Sequence, residues 1–136
     1  MVRIADGDTF DLERLDTGAI YRIRVYGIDC PELNQPGGRE ALDASRNLLN
    51  GAVYGVVGLY LDNYDRLVAI LINQENGRVL QEELISGGMC WVYDYFCRDC
   101  QLWQDMQTEA KTSQRGLWST SDPIPPWDWR RSNPSR

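Results

Sequence analysis

The residues with chemical potential in this chain are carboxylates and arginines in three short groups. Asp6-Gly7-Asp8-Thr9 sets two carboxylates two residues apart around a glycine, and the missing Cβ permits the tight bend that aims both at one point. Arg22-Ile23-Arg24-Val25-Tyr26-Gly27-Ile28-Asp29-Cys30-Pro31-Glu32 puts Arg24 on a strand, with Asp29 and Glu32 where that strand runs out into a loop. Arg66 follows directly on the turn Asp62-Asn63-Tyr64-Asp65. Taken singly, these describe equally well an Asp-Gly turn, a salt-bridged strand and a solvated turn arginine. Together they are the parts needed to hydrolyse a phosphodiester. Two or three carboxylates without imidazole or thiolate ligands suit a hard cation, calcium or magnesium, rather than zinc. Two arginines can hold phosphate oxygens and stabilise the added charge of a pentacoordinate transition state. A remaining carboxylate can position or deprotonate water.

Those groups need a scaffold, and the apolar pattern predicts one. Thr9 to Leu15 and Ile20 to Ile28 alternate as strands, joined by a turn at Asp16-Thr17-Gly18. Two prolines and paired glycines between Asp29 and Gly38 read as a loop. Arg39 to Asn50 repeats apolar residues at helical spacing and stops at Gly51. Ala52 to Leu61 and Arg66 to Asn73 form a hairpin, Val79 to Ser86 a short helix, and Met89 to Phe96 a fifth strand. Asp99 is placed to cap a helix reaching about Gln114, with Leu102, Trp103, Met106 and Ala110 inward. The tail from Ser119 carries Pro123, Pro125 and Pro126 and is expected to run as an extended strap. The predicted class is α+β, mainly β: a five-stranded OB-fold barrel elaborated by three α-helices. A generic α+β sheet satisfies the same signals.

Composition narrows the chemistry further. Histidine is absent, which removes the commonest general base, the Ser-His and Cys-His pairs and most zinc sites. The 136 residues suit one domain, and no apolar run approaches the roughly 18 residues that cross a bilayer. Net charge is −6, which argues against a protein that coats nucleic acid tightly but not against an enzyme that must release its product. Its cations are 13 arginines and the single Lys111, and the arginine fork suits bidentate phosphate contacts. Four cysteines, Cys30, Cys90, Cys97 and Cys100, allow three pairings in an oxidising compartment. A structural disulfide between Cys97 and Cys100 is favoured over a redox pair or half a zinc site.

These motifs, with Gln35-Pro36, Val68-Ala69, Gly88-Met89-Cys90-Trp91-Val92-Tyr93 and Gly116-Leu117-Trp118, resemble the staphylococcal nuclease domain in order and spacing along essentially the whole chain. The resemblance implies an OB-fold nuclease domain over 1–118, followed by a Pro/Trp/Arg-rich tail over 119–136. It implies one Ca²⁺ ion, DNA and RNA substrates, and endonucleolytic cleavage leaving 3′-phosphate ends. By motif position Asp8 and Asp29 would ligate the metal beside the backbone carbonyl of Cys30, with Asp6 acting through water. Arg24 would bridge the metal-bound phosphate, Arg66 would bind the same phosphate, and Glu32 would hold the attacking water. Tyr64 would lie along the nucleotide, and Tyr93 or Tyr95 would stack on a base. Asp65 departs from the family pattern, where glycine is usual, and the acidic net charge predicts weaker, more salt-sensitive DNA binding. The rival expectation is a non-catalytic OB-fold module that binds nucleic acid or protein. A secreted or periplasmic monomer with a removed N-terminal segment is expected from the cysteines and the abrupt start.

Overall fold

Alternation along the first strands puts Phe10, Ile23 and Val25 on one buried face, and that face organises the molecule. The computed structural model describes residues 3–95, 97 and 100–134. Strands β1 (Arg3–Asp6), β2 (Thr9–Glu13) and β3 (Ile20–Val25) form an antiparallel meander. Next come the two-residue strand β4 (Ile28–Asp29), helix α1 (Gly38–Leu49), and the hairpin of β5 (Tyr54–Leu61) and β6 (Leu67–Asn73). Helix α2 (Leu80–Ser86), strand β7 (Trp91–Val92), helix α3 (Gln101–Thr112), a 3-10 turn (Gly116–Ser119) and helix α4 (Pro126–Ser132) complete the chain.

The main sheet has strand order β1-β2-β3-β6-β5, and β4 pairs with β7 in a separate short ladder. β6 lies parallel to β3, with Ile23 opposite Leu67, so the chain must cross over through β4, α1 and β5 before pairing. α1 and α2 cover the inner face, where Ala41, Leu49, Leu80, Leu84 and Ile85 meet the strand residues. Trp91, Ala110 and Trp118 make a second cluster, against which Leu117 and Trp127 pack.

The predicted α+β class and five-stranded sheet are present, but several details differ. Among the described residues no strand pairing closes the sheet into a barrel: β1 and β5 are its edges, and the last predicted strand shrinks to Trp91–Val92, paired with β4 instead. β1 takes the fifth place. The predicted strand to Ile28 breaks at Tyr26 and Gly27, because Gly27 adopts φ 78° and turns β4 away. Among the described residues there are four α-helices rather than three, since residues 126–132 of the tail coil into α4. Leu102 is exposed, while its neighbour Trp103 is buried under Tyr26. Asp99, the expected cap of α3, and Phe96 lie outside the described residues. Disulfides join Cys30 to Cys90 and Cys97 to Cys100. Among the described residues no helix is long and apolar enough to cross a membrane.

Candidate active site

The β1–β2 turn is the first component, and close packing forces its shape. A Cβ on Gly7 would lie 3.0 Å from the side chains of both Ala41 and Cys30, so α1 can approach only a glycine here. Ser45 of α1 donates to the Gly7 carbonyl at 2.5 Å. The turn thereby buries Asp8, and burial obliges its carboxylate to find partners. The Cys30 amide donates to Asp8 Oδ2 at 2.7 Å and the Thr9 hydroxyl to Oδ1 at 3.1 Å.

β3 supplies the cation for this pocket. Arg24 pairs across the ladder with Thr9, and its guanidinium lies 3.4 Å from Asp8 and 3.8 Å from Asp29. It also donates to the Val25 carbonyl at 2.8 Å, which fixes the fork between the two carboxylates. Asp29 is buried at the end of β4, held there by pairing with Trp91 and by the Cys30–Cys90 disulfide next to it. Glu32 stands three residues on, in a loop clamped by Gln35, whose side-chain oxygen accepts from the Glu32 amide at 3.1 Å.

Arg66 and Tyr64 come from the β5–β6 turn. Asp62 accepts from the Arg66 side chain at 2.7 Å and from the backbone amides of Tyr64 and Arg66. Tyr64 is 78% exposed, with its ring 5.3 Å from the Arg66 guanidinium. Asp65 adopts φ 59°, the conformation that explains why glycine suits this place. Asp65→Gly is expected to stabilise the fold by about 0.5–1 kcal/mol. In thermal denaturation that is a rise of about 2–4 °C.

One cleft of about 750 Å³ collects these groups: Asp6, Asp8, Arg24, Asp29, Cys30, Glu32, Tyr64, Arg66 and Tyr93 all line it. Of the predicted site residues Tyr95 is not among the lining; it is exposed with its ring 6.3 Å from that of Tyr93. Two participants were not foreseen. Arg130 of α4 reaches into the same cleft and donates to Asp29 at 3.1 and 2.6 Å and to Glu32 at 2.7 Å. Trp127, one turn earlier on α4, stacks flat on Tyr93 with ring centroids 5.2 Å apart. Proline at the first helical position, Asp128 in the first turn and Arg130 and Arg131 in the last are the sequence signals of α4.

Crowding of carboxylates sets the electrostatics. Burial, reinforced by the charge of Asp8, raises Asp6 to about 8. Burial also raises Asp29, to about 6, against the hydrogen bond from Arg130. Burial would raise Asp8 too, but the charge of Arg24 and its hydrogen bonds outweigh it and hold Asp8 below the ordinary carboxylate range. An acid whose pKa is higher folded than unfolded binds its proton more tightly in the native state. Such a group contributes stability that is lost as pH rises from about 4 through about 8. In chelator the melting temperature therefore falls across that window, and Asp6→Asn removes part of the fall. A melting temperature equally pH-dependent in both proteins would contradict this.

The donor set fits a hard cation. Among the described residues no three acidic, cysteine or histidine side chains are grouped to hold a metal by themselves. Two carboxylates, Asp8 and Asp29, with a neighbouring main-chain carbonyl and solvent are the oxygen-only donors that calcium or magnesium accepts.

A family model described as staphylococcal nuclease homologue matches residues 22–120. An uncharacterised endonuclease of Escherichia coli O157:H7 is 36% identical over 130 residues, covering 96% of this chain and 82% of its own length. A micrococcal nuclease of Shigella flexneri is 30% identical over 142 residues, covering 98% of this chain and 80% of its own length. A staphylococcal-like nuclease of Arabidopsis thaliana is 34% identical over 112 residues, spanning 82% of this chain and 34% of that protein.

Proposed function

Since the chain belongs to the staphylococcal nuclease family and is a nuclease, we propose that it cuts DNA and RNA internally with the help of one calcium ion, leaving 3′-phosphate ends. The observation that carries this reading is Arg24 held between buried Asp8 and Asp29, in the cleft that Glu32 and Arg66 also line. Asp8, Asp29 and the Cys30 carbonyl would hold the cation, with Asp6 acting through water. Bound there, it would draw a phosphate oxygen into the site and offset its charge.

The chain's own residues do the rest. Arg24 takes the phosphate by its fork and stabilises the charge that builds as water adds to phosphorus. Glu32 orients that water and accepts its proton, or orients it only. The new bond joins the water oxygen to phosphorus, the bond from phosphorus to the 5′-oxygen breaks, the departing 5′-oxygen takes a proton from solvent, and the phosphate stays on the 3′-oxygen. Arg66 holds the same phosphate by charge; an arginine, with a pKa above about 12, is a poor proton donor to the departing oxygen. Tyr64, exposed at the rim, lies where a nucleotide can pack.

We also propose that the protein works in an oxidising compartment, secreted or periplasmic, as a monomer. The compartment is supported by the two closed disulfides, with no free cysteine among the described residues. A 5′-labelled oligonucleotide incubated with the protein and calcium tests the chemistry. Fragments that phosphatase shifts at the 3′ end are expected, whereas 5′-phosphate products with free 3′-hydroxyls would refute the assignment of the broken bond.

A further inference from the structure

Two guanidinium groups of this chain approach Asp29, those of Arg24 and Arg130. The Arg130 fork covers both oxygens of Asp29 and reaches Glu32 as well, so it holds the proposed metal ligand and the proposed water-orienting group at once. A calcium ligand oxygen must lie about 2.3–2.6 Å from the ion. A guanidinium lodged in the plane of the same carboxylate excludes that approach and adds like charge beside it. Arg24 differs: at 3.8 Å from Asp29 it stands beyond hydrogen-bond distance of the carboxylate.

The helix that carries Arg130 is docked at several points. Pro126 is buried, Trp127 packs edge-on to Trp91 at 5.6 Å, and Gln35 donates to the Ile124 carbonyl at 2.6 Å. The Gln35 side chain that clamps the Glu32 loop therefore also ties down the tail. Trp127 presents a flat ring to Tyr93, as a base would, while Arg130 presents a positive charge to the carboxylates, as a metal would. Both residues lie beyond the stretch matched by the family model, 22–120.

We propose that the C-terminal helix is an autoinhibitory latch, with Arg130 seated where the catalytic cation binds, so that cation entry requires the guanidinium to leave Asp29. The proposal rests on the metal-dependent reading above. It makes cation affinity a competition: the measured dissociation constant is the intrinsic one divided by the fraction of molecules with the latch open.

Calorimetric titration of the full chain with calcium chloride, and separately with manganese chloride, tests this without substrate. Arg130→Ala and Arg130→Gln are each expected to bind the cation about tenfold more tightly than wild type. Arg131→Ala removes a charge from the same helix, but its partner is Asp128 at 3.6 Å, and its affinity stays within about twofold of wild type. In chelator the Arg130 variants melt below wild type, and saturating calcium raises their melting temperature by more than it raises that of wild type. Equal or weaker cation binding by both Arg130 variants, with native circular dichroism, overturns the latch and leaves the metal site standing. If no protein in the series binds either cation, the metal-dependent reading fails and the latch with it.

Discussion

Arg24→Ala lowers the turnover number for DNA cleavage by about a thousandfold, about 4 kcal/mol of transition-state stabilisation. The effect is large because the side chain is mostly buried and fixed between Asp8 and Asp29, whereas Arg130, the other guanidinium in the cleft, is bound to Asp29 and Glu32. The Michaelis constant changes far less than the turnover number, since the charge that Arg24 meets grows during the reaction. Arg24→Lys recovers little, because a compact ammonium lacks the planar fork that donates to the Val25 carbonyl on one side while offering a phosphate two parallel donors on the other. Steady-state kinetics on one defined oligonucleotide, at fixed salt and cation, measure this. A variant within tenfold of wild type would remove Arg24 from the chemistry.

Removing the Cys30–Cys90 disulfide has the largest expected effect on stability. It closes a loop between residues 60 apart in sequence, which corresponds to about 4 kcal/mol in the chain-entropy account. For a domain of this size the double variant Cys30→Ala with Cys90→Ala melts about 10–15 °C lower. Cys97 and Cys100 are only three apart, and the same account gives about 2 kcal/mol for their bond. Cys30 adjoins Asp29 and its amide supports Asp8, so activity falls in the first variant well below its melting temperature. Thermal scans of both double variants check the order, and equal losses would show that loop length does not govern here.

The site was readable from sequence where its parts are neighbours in the chain. Asp6 and Asp8 flank one turn, Arg24, Asp29 and Glu32 follow one another along β3, β4 and the loop after it, and Arg66 closes the β5–β6 turn. Each of these depends on local rules of alternation and turn chemistry, and the structure brings them to one cleft. Arg130 depends on nothing local: its partners lie 101 and 98 residues away, and only the docking of α4 creates the contact. Pro123, Pro125 and Pro126 suggested an extended tail, yet Pro126 occupies the first helical turn, where its missing amide costs nothing. Tyr93 read as a base-stacking residue, and its flat partner in the structure is Trp127. A short strand leading into Asp6 was expected, but four residues at a sheet edge carry too short an alternation to give β1 its bounds. The open sheet has a similar cause. The two-residue β4 and β7 pair with each other, and no periodicity that short announces its partner.

The most direct test of the account is cleavage itself. Single- and double-stranded DNA would be incubated at low salt with calcium, with magnesium and with chelator, using wild type and Glu32→Ser side by side. The account predicts cleavage by wild type in calcium, none in chelator, and a loss of at least a hundredfold in the variant. A folded wild type that binds DNA but cuts it under none of these conditions would contradict the account, and the non-catalytic binding module would take its place.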